Sequence, residues 1–144
     1  GCAQLEKLDD IVAARRANYK TLYDGLKDCP GIILPVAEEN SNPSWFGFLI
    51  AVKEDAGFTR NELTGYLEDN KIQTRNLFAG NLIKHPAFDE MRKSGEGYRQ
   101  VGDLKNTDFV MNNTFWIGVY PGMTQEMNQW MIESINKFCN EHAK

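Results

Sequence analysis

Apolar residues recur at steps of three and four along the first part of the chain, which is the spacing of one face of an α-helix. The positions of this stripe, which include one arginine, are Leu5, Leu8, Val12, Arg15, Tyr19, Leu22 and Leu26. Pro30 follows, and proline cannot continue a helix, so the pattern predicts one long helix over residues 3–28. Because no N-cap residue precedes the stripe, we expect residues 1–28 to continue an element that starts upstream and to connect two domains.

Two later segments are almost uniformly apolar and predict buried β-strands: residues 45–52, WFGFLIAV, and residues 114–120, TFWIGVY. Such strands are covered on both faces, or by helices on one face and by another domain on the other. A third segment, residues 31–35, lies between two prolines. Proline restricts strands to the edges of sheets, so we place this segment at an edge.

Sequence signals for the starts of helices predict three further helices in the rest of the chain. Thr59 and Glu62 fit a capping box before a helix that we expect to end at Asn70 in a left-handed conformation. A weaker helix is predicted over residues 103–110. Thr124 is the predicted N-cap of a last helix. The residues through which this helix is expected to pack are Met127, Trp130, Met131, Ile135 and Phe138.

The predicted order of elements is helix, strand, strand, helix, strand, loop, helices, strand, helix. Small sheets with their helices segregated on one side form α+β folds. We therefore predict an α+β two-layer sandwich over residues 29–144, with a small antiparallel or mixed sheet and helices on one face.

The stretch with the most candidate binding chemistry is residues 71–88, KIQTRNLFAGNLIKHPAF. Residues 72–74 predict a short strand, and the following ten residues show neither the period of a helix nor that of a strand. The candidate site residues are Arg75, Asn76, Phe78, Asn81 and His85. Guanidinium groups bind phosphate and carboxylate through two parallel hydrogen bonds, and binding residues concentrate on loops. The alternative is a loop folded onto its own domain, in which Arg75, the asparagines and His85 bond backbone carbonyls.

Composition and charge narrow the possible functions. The 144 residues carry a net charge of −4 without a basic stripe, which excludes a nucleic-acid partner. No stretch reaches the length of a transmembrane span and no secretion signal is visible, so we expect no membrane contact and a cytoplasmic, reducing location. The cysteines, Cys2, Cys29 and Cys139, have spacings that fit neither a disulfide framework nor a metal site. No self-contained catalytic set is found.

Several blocks of the sequence resemble the C-terminal small domain of the DegT/DnrJ/EryC1/StrS family, the pyridoxal-phosphate-dependent sugar aminotransferases of fold type I. These blocks are GCAQLEKLDDIVAARRANY at 1–19, SWFGFLIAV at 44–52, FTRNELTGYLEDNKIQTR at 58–75 and TFWIGVYPGMTQEM at 114–127. They follow one another in the family's order over nearly the whole chain. The resemblance therefore implies the family's small domain.

Residues 75–88, RNLFAGNLIKHPAF, resemble the deoxysugar 3-dehydratase branch of the family, because Asn81 is present and the Pro-Leu-His type loop of most aminotransferases is missing. The resemblance implies a whole protein that uses pyridoxamine or pyridoxal phosphate to remove the 3-hydroxyl of a CDP-4-keto-6-deoxyhexose. That reaction belongs to the biosynthesis of 3,6-dideoxyhexoses for lipopolysaccharide O-antigen. The resemblance further implies a 2Fe–2S cluster, an iron–sulfur flavoprotein reductase and a homodimer partner.

The motifs of the family's large domain, which are the phosphate-binding loop, the catalytic His or Lys and the clustered cysteines, are absent from these residues. We therefore expect no catalytic residue and no bound cofactor or metal in this chain, which would pack against its own large domain. By resemblance, Arg75, Asn76 and Asn81 approach the nucleotide-sugar substrate or the cofactor. Phe78 and His85 shape the wall beside them.

Two alternatives stay open. The chain could instead be the small domain of an ordinary sugar aminotransferase of the same family, or a free-standing module that binds a small molecule or a protein. The first helix distinguishes these interpretations, because a self-contained module should cover the apolar stripe itself.

Overall fold

The computed structural model describes every residue from Gly1 to Lys144 and contains the predicted order of elements. The helices are α1 (Cys2–Leu5), α2 (Leu8–Leu26), α3 (Arg60–Asp69), α4 (Asp89–Ser94), α5 (Lys105–Asn113) and α6 (Gln125–His142). The strands are β1 (Ile32–Ile33), β2 (Gly47–Val52), β3 (Thr74–Asn76) and β4 (Thr114–Gly118), and short 3-10 turns cover Leu82–Lys84 and Pro86–Phe88. None of the helices is both long enough and apolar enough to cross a membrane.

The strands form one antiparallel sheet in the order β1-β2-β4-β3. The two apolar strands of the sequence, β2 and β4, lie at its centre, and β1 lies at an edge as predicted. The register sets Leu49 opposite Trp116 and Ile50 opposite Phe115. Successive side chains therefore project alternately to the two faces of the sheet.

One face of the sheet is covered by helices α2, α3 and α6, as expected for the α+β two-layer sandwich. The fully buried side chains of this layer are Leu22, Leu26, Phe48, Ile50, Leu63, Leu67, Phe115, Ile117 and Ile135. They belong to a single hydrophobic cluster that also includes Phe138. Burial of such a cluster is the main source of stability for a domain of this size.

The single helix predicted over residues 3–28 is wrong at its start, where a turn at Glu6 and Lys7 separates α1 from α2. The amide of Lys7 donates to the carbonyl of Gln4, a three-residue step rather than the four-residue step of an α-helix. Lys7 has φ −107° and ψ 2°, which is outside the helical region, so the regular helix begins again at Leu8.

Only the C-terminal part of the α2 stripe packs on the core of this chain. Tyr19, Leu22 and Leu26 are buried, whereas Leu5 is 68% exposed and Leu8 is 46% exposed. The chain therefore leaves the beginning of its apolar stripe uncovered.

The capping box of α3 is confirmed, since Thr59 Oγ1 accepts from the amide of Glu62 at 3.2 Å and Glu62 Oε2 accepts from the amide of Thr59 at 2.7 Å. The left-handed residue after α3 is Lys71, with φ +64°, and not the predicted Asn70, with φ −88°. The amide of Ile72 bonds the carbonyl of Leu67, and that of Lys71 bonds Glu68. These two bonds make a Schellman motif, which places the left-handed residue one position later.

The strand predicted over residues 72–74 is displaced by the same motif. Ile72 turns into the core and is 2% exposed, so pairing with β4 starts only at Thr74 and continues to Asn76. The weaker helix is likewise shifted from residues 103–110 to Lys105–Asn113, with Asp103 Oδ1 accepting from the amide of Lys105 at 3.0 Å.

The packing face predicted for α6 is partly wrong. Ile135 and Phe138 are buried, but Met127 is 45% exposed and Trp130 is 50% exposed. Asn128 is buried in their place, because its amide donates to Asn18 Oδ1 of α2 at 3.0 Å. The buried contact between α6 and α2 at this position is therefore polar rather than apolar.

Candidate functional site

The sheet face opposite the helices is only partly covered. Leu49 and Trp116 are half-buried on it, and Phe46, just before β2, is 68% exposed. The rings of Phe46 and Trp116 lie 5.2 Å apart at an angle of 54°, an arrangement favoured between aromatic side chains. We call the surface formed by Phe46, Leu49, Arg75 and Trp116 the open face.

Arg75 extends over the open face. In the pairing of β3 with β4 it lies opposite Trp116, and opposite residues of antiparallel strands project to the same side of the sheet. Arg75 is exposed and takes part in none of the ion pairs of the chain. The strand thus fixes the backbone of Arg75, and its guanidinium is available to an anionic group.

A groove of about 640 Å³ lies over this end of the open face, and we call it the aromatic groove. Its lining residues are Phe46, Arg75, Asn76, Phe78 and Trp116. Phe78 is 81% exposed and has φ +39°, a backbone conformation that non-glycine residues rarely adopt and that often marks functional sites. Three aromatic rings, one cation and one amide form a surface suited to an anionic ligand with an apolar side.

Two side chains of α3 hold β3 on either side of Arg75. Glu68 Oε1 accepts hydrogen bonds from the amide and the hydroxyl of Thr74, at 2.5 and 2.8 Å. Arg60 donates to Asn76 Oδ1 at 2.9 Å and to the carbonyl of Thr114 at 3.3 Å. Sequence reasoning missed Glu68 and Arg60, because only the fold brings α3 beside β3.

Asn81 and His85 lie away from the aromatic groove and hold the loop. Asn81 is buried, donates to Asp108 Oδ1 at 2.8 Å, and accepts from the amide of Ile83 at 3.2 Å. A ring nitrogen of His85 bonds the carbonyl of Ala79. Of the five predicted site residues, the fold therefore brings together Arg75, Asn76 and Phe78, which line the aromatic groove. The substrate contacts predicted for Asn81 and His85 stay predictions.

Several carboxylates of the domain are stabilised as anions by hydrogen bonds. The backbone amide of Thr74, and then its hydroxyl, lower the pKa of Glu68 below its ordinary value of 4.5. The amide and hydroxyl of Thr59 similarly lower the pKa of Glu62. The hydrogen bond from Lys84, followed by that from Asn81, lowers the pKa of Asp108.

We expect the thermal stability of the chain to fall as the pH is lowered from about 5 to about 3. A depressed folded-state pKa stabilises the fold above the unfolded pKa, which is about 4.3 for Glu, and this stabilisation is lost as the pH falls through the folded pKa. Calorimetry at several pH values measures the slope. Glu68→Gln should make it shallower, whereas Glu141→Gln, at an exposed position near the end of α6, should leave it unchanged. An unaltered slope in Glu68→Gln would contradict this account.

The donor set of the chain does not fit an iron–sulfur cluster or a complete pyridoxal phosphate site. No group of three or more His, Cys, Asp or Glu side chains is close enough to hold a metal ion. The chain has only three cysteines, of which Cys2 is exposed and Cys29 and Cys139 are buried, so four thiolates cannot be assembled from it. The aromatic groove has one cation but no lysine amine or carboxylate, the groups that bind pyridoxal phosphate in enzymes.

Comparison with known proteins relates this geometry to a class of enzyme. The chain is 48% identical over 136 residues to the dTDP-4-dehydro-2,6-dideoxy-D-glucose 3-dehydratase of Saccharopolyspora spinosa, covering 94% of this chain and 28% of that protein. It is 48% identical over 139 residues to the lipopolysaccharide biosynthesis protein RfbH of Salmonella typhimurium, covering 96% of this chain and 31% of that protein.

Among solved structures, the GDP-4-keto-6-deoxy-D-mannose-3-dehydratase of E. coli with bound hydrated PLP matches with a TM-score of 0.78 and 25% identity, covering 94% of this chain and 33% of that one. The fold is thus that of the fold type I, aminotransferase-like enzymes. Residues 1–136 match the sequence profile of the DegT/DnrJ/EryC1/StrS aminotransferase family, and the chain belongs to this family. The chain spans about a third of the length of these relatives.

Proposed function

We propose that this chain is the small domain of a nucleotide-sugar 3-dehydratase, which removes the 3-hydroxyl of a CDP-4-keto-6-deoxyhexose for the 3,6-dideoxyhexoses of lipopolysaccharide O-antigen. The observation that carries the proposal is the 48% identity with two proteins, one a 3-dehydratase and the other a lipopolysaccharide biosynthesis protein. The uncovered residues Leu5 and Leu8 support a domain that packs on its own large domain rather than a free-standing module.

In this function the chain supplies one wall of the substrate site. Arg75 binds the anionic part of the substrate, since its guanidinium is exposed at the aromatic groove. Phe46, Phe78 and Trp116 pack against the apolar side of the sugar and exclude water from it. Asn76 and Asn81 are proposed to approach the sugar nucleotide through their amides, and His85 keeps the loop in shape.

The remaining parts of the proposed enzyme lie outside these residues. Pyridoxamine or pyridoxal phosphate and a 2Fe–2S cluster would be held by the large domain, because the donor set described above does not fit either group. When bound, the cofactor would supply the electron withdrawal needed to break the bond to the 3-hydroxyl. An iron–sulfur flavoprotein reductase, a homodimer partner and a cytoplasmic location complete the proposal.

The test is the reaction of the full-length protein with pyridoxamine phosphate, a reductase and CDP-4-keto-6-deoxyglucose. We expect a C-3-deoxygenated sugar and no amino sugar, identified by mass spectrometry and NMR. Formation of an amino sugar with glutamate as donor would instead assign the protein to the aminotransferases, the alternative favoured by the family's name. The absence of both products with the CDP-, dTDP- and GDP-linked forms of the sugar would exclude both enzymes and leave the binding-module interpretation.

A further inference from the structure

A second groove, of about 370 Å³, lies where β4 ends and β3 begins, beside the first turns of α6. The residues that line it include Lys71, Arg75, Gly118, Tyr120, Met127 and Trp130. None of the interactions described for the open face uses it, apart from the shared Arg75. Its volume is within the range of small-molecule sites in proteins. We call it the methionine groove.

The methionine groove has an exposed apolar rim. Tyr120, Met127 and Trp130 keep 44%, 45% and 50% of their surface in contact with solvent, whereas Ile72 and Met123, which also line the groove, are buried. Trp130 is held in position, because its indole N–H donates to the carbonyl of Asn70 at 3.0 Å. A fixed, exposed indole is a preformed platform on which a flat ring can stack.

The charges of the methionine groove have one sign. Lys71 and Arg75 both line it and no carboxylate does, in a chain whose net charge is −4. Trp130 also lines a neighbouring groove along α6, in which the carboxylates of Glu126 and Glu133 lie on the side away from the two cations. A ligand that stacks on the indole from the side of the cations is therefore expected to carry negative charge.

Arg75 lines both the aromatic groove and the methionine groove. A ligand that fills both grooves must carry its negative charge in the middle, beside the guanidinium, with a different body on either side. A nucleotide sugar has this order of parts, since a diphosphate separates the sugar from the nucleoside.

We propose that the methionine groove is the nucleoside subsite of this chain, in which the base stacks on Trp130 and the diphosphate lies between Lys71 and Arg75. The inference rests on the proposed function, because it takes the ligand to be a nucleotide sugar whose sugar end occupies the aromatic groove. Lys71 then contributes to affinity for the nucleoside diphosphate, and the pyrimidine or purine ring gains its contact area from Trp130 and Met127.

Gly118 provides a steric test of the proposal. A Cβ built at this position meets no atom within 4 Å, so a larger side chain would project into the groove without displacing the protein. Gly65 of α3 has the same free surroundings on the opposite, helical side and serves as the matched control. Gly118→Leu should fill the floor of the groove, while Gly65→Leu should not.

The experiment measures inhibition of the full-length enzyme by CDP, dTDP and GDP, and titrates the same nucleotides by calorimetry. Gly118→Leu and Trp130→Leu are each expected to raise the inhibition constant of the preferred nucleotide by about fivefold or more, because one stacked base contributes at least that much to binding. KM for the nucleotide sugar should rise in parallel while kcat changes less than about twofold, since only binding remote from the reacting carbon is lost. Gly65→Leu should match the unmodified protein.

The experiment distinguishes failure of the nucleoside subsite from failure of the proposed function. If the enzyme turns over the nucleotide sugar and both variants bind CDP, dTDP and GDP with unchanged affinity, the nucleoside subsite is refuted and the proposed function stands. If no nucleotide sugar is converted, the proposed function fails. Calorimetry then still decides the subsite, because a loss of nucleotide affinity in the two variants supports it and unchanged affinity refutes it.

Discussion

Replacing Arg75 with alanine in the full-length protein is expected to lower kcat/KM for the nucleotide sugar about 10- to 100-fold without unfolding the domain. A hydrogen bond to a charged group is worth about 1.5–3 kcal/mol, and each 1.4 kcal/mol corresponds to a factor of about ten. The fold should be unaffected, because Arg75 is exposed and forms no ion pair within the chain. Steady-state kinetics and a thermal melt measure the two quantities on the same preparation.

Arg99→Ala is the matched control, since Arg99 is an exposed arginine in an irregular segment and does not line the aromatic groove. Its kinetics and melting temperature should equal those of the unmodified protein. Arg75→Lys should recover only part of the loss, because an ammonium group cannot form two parallel hydrogen bonds with one anion. If Arg75→Ala instead lowers the melting temperature sharply, the residue is structural and the proposed wall loses its anchor.

A second large effect is expected on the free energy of unfolding, from a substitution in the hydrophobic core. Phe48→Ala should reduce the free energy of unfolding of the chain by about 3–5 kcal/mol, the usual cost of removing a buried phenylalanine ring. Phe48 is fully buried near the start of β2, and its ring lies 5.0 Å from that of Tyr19. Because small domains are stable by only about 5–15 kcal/mol, the variant should lose a large fraction of the stability of the domain. Urea denaturation followed by circular dichroism measures the change.

Phe46→Ala tests the opposite face with the same substitution two residues away. Phe46 is 68% exposed and contacts Trp116, so the loss should stay below about 1.5 kcal/mol, the upper range for an aromatic pair. Equal losses in the two variants would mean that both faces of β2 are covered within this chain. That outcome would remove the open face on which the site is built.

Local signals in the sequence were sufficient for much of the fold. The capping box at Thr59, the N-cap at Thr124 and the two apolar strands depend on contacts within a few residues or on uniform composition, and each is confirmed. The end of α3 was missed by one residue. The sequence pattern predicts that α3 ends near Asn70. The residue at which it ends is set by the carbonyls of Leu67 and Glu68, which accept the hydrogen bonds of the Schellman motif.

Tertiary contacts account for the remaining errors. The face of α6 could not be read from apolar spacing, because Asn128 is buried where its side-chain N–H group donates to Asn18, which is 110 positions away in the sequence. Close approach of the helices adds to this effect, since a Cβ at Gly25 of α2 would lie 2.6 Å from Ile132 of α6. Neither the contact of Asn128 with Asn18 nor the approach of Ile132 to Gly25 can be inferred from the spacing of apolar residues along α6.

The sequence predicts the central residue of the candidate site but not the residues around it. Arg75 is identified by its residue type, because it carries a guanidinium group within an apolar stretch. Trp116 lies on β4 and Phe46 just before β2, and only the register of β2, β4 and β3 places them beside it. Asn81 had the same sequence signal as Asn76, yet the fold buries it against Asp108. Sequence therefore identifies the polar candidates, and strand pairing selects those that reach the groove.

The outer strand β3 is protected against pairing with other molecules. The amide of Thr74 donates to the carboxylate of Glu68, and the carbonyl of Asn76 accepts from the amide of Phe78 at 2.9 Å. An incoming strand would thus find these backbone groups already occupied, which discourages growth of fibres from this side of the sheet. Protonation of Glu68 would weaken the first of these bonds, so strongly acidic storage is the condition in which aggregation through β3 is expected to begin.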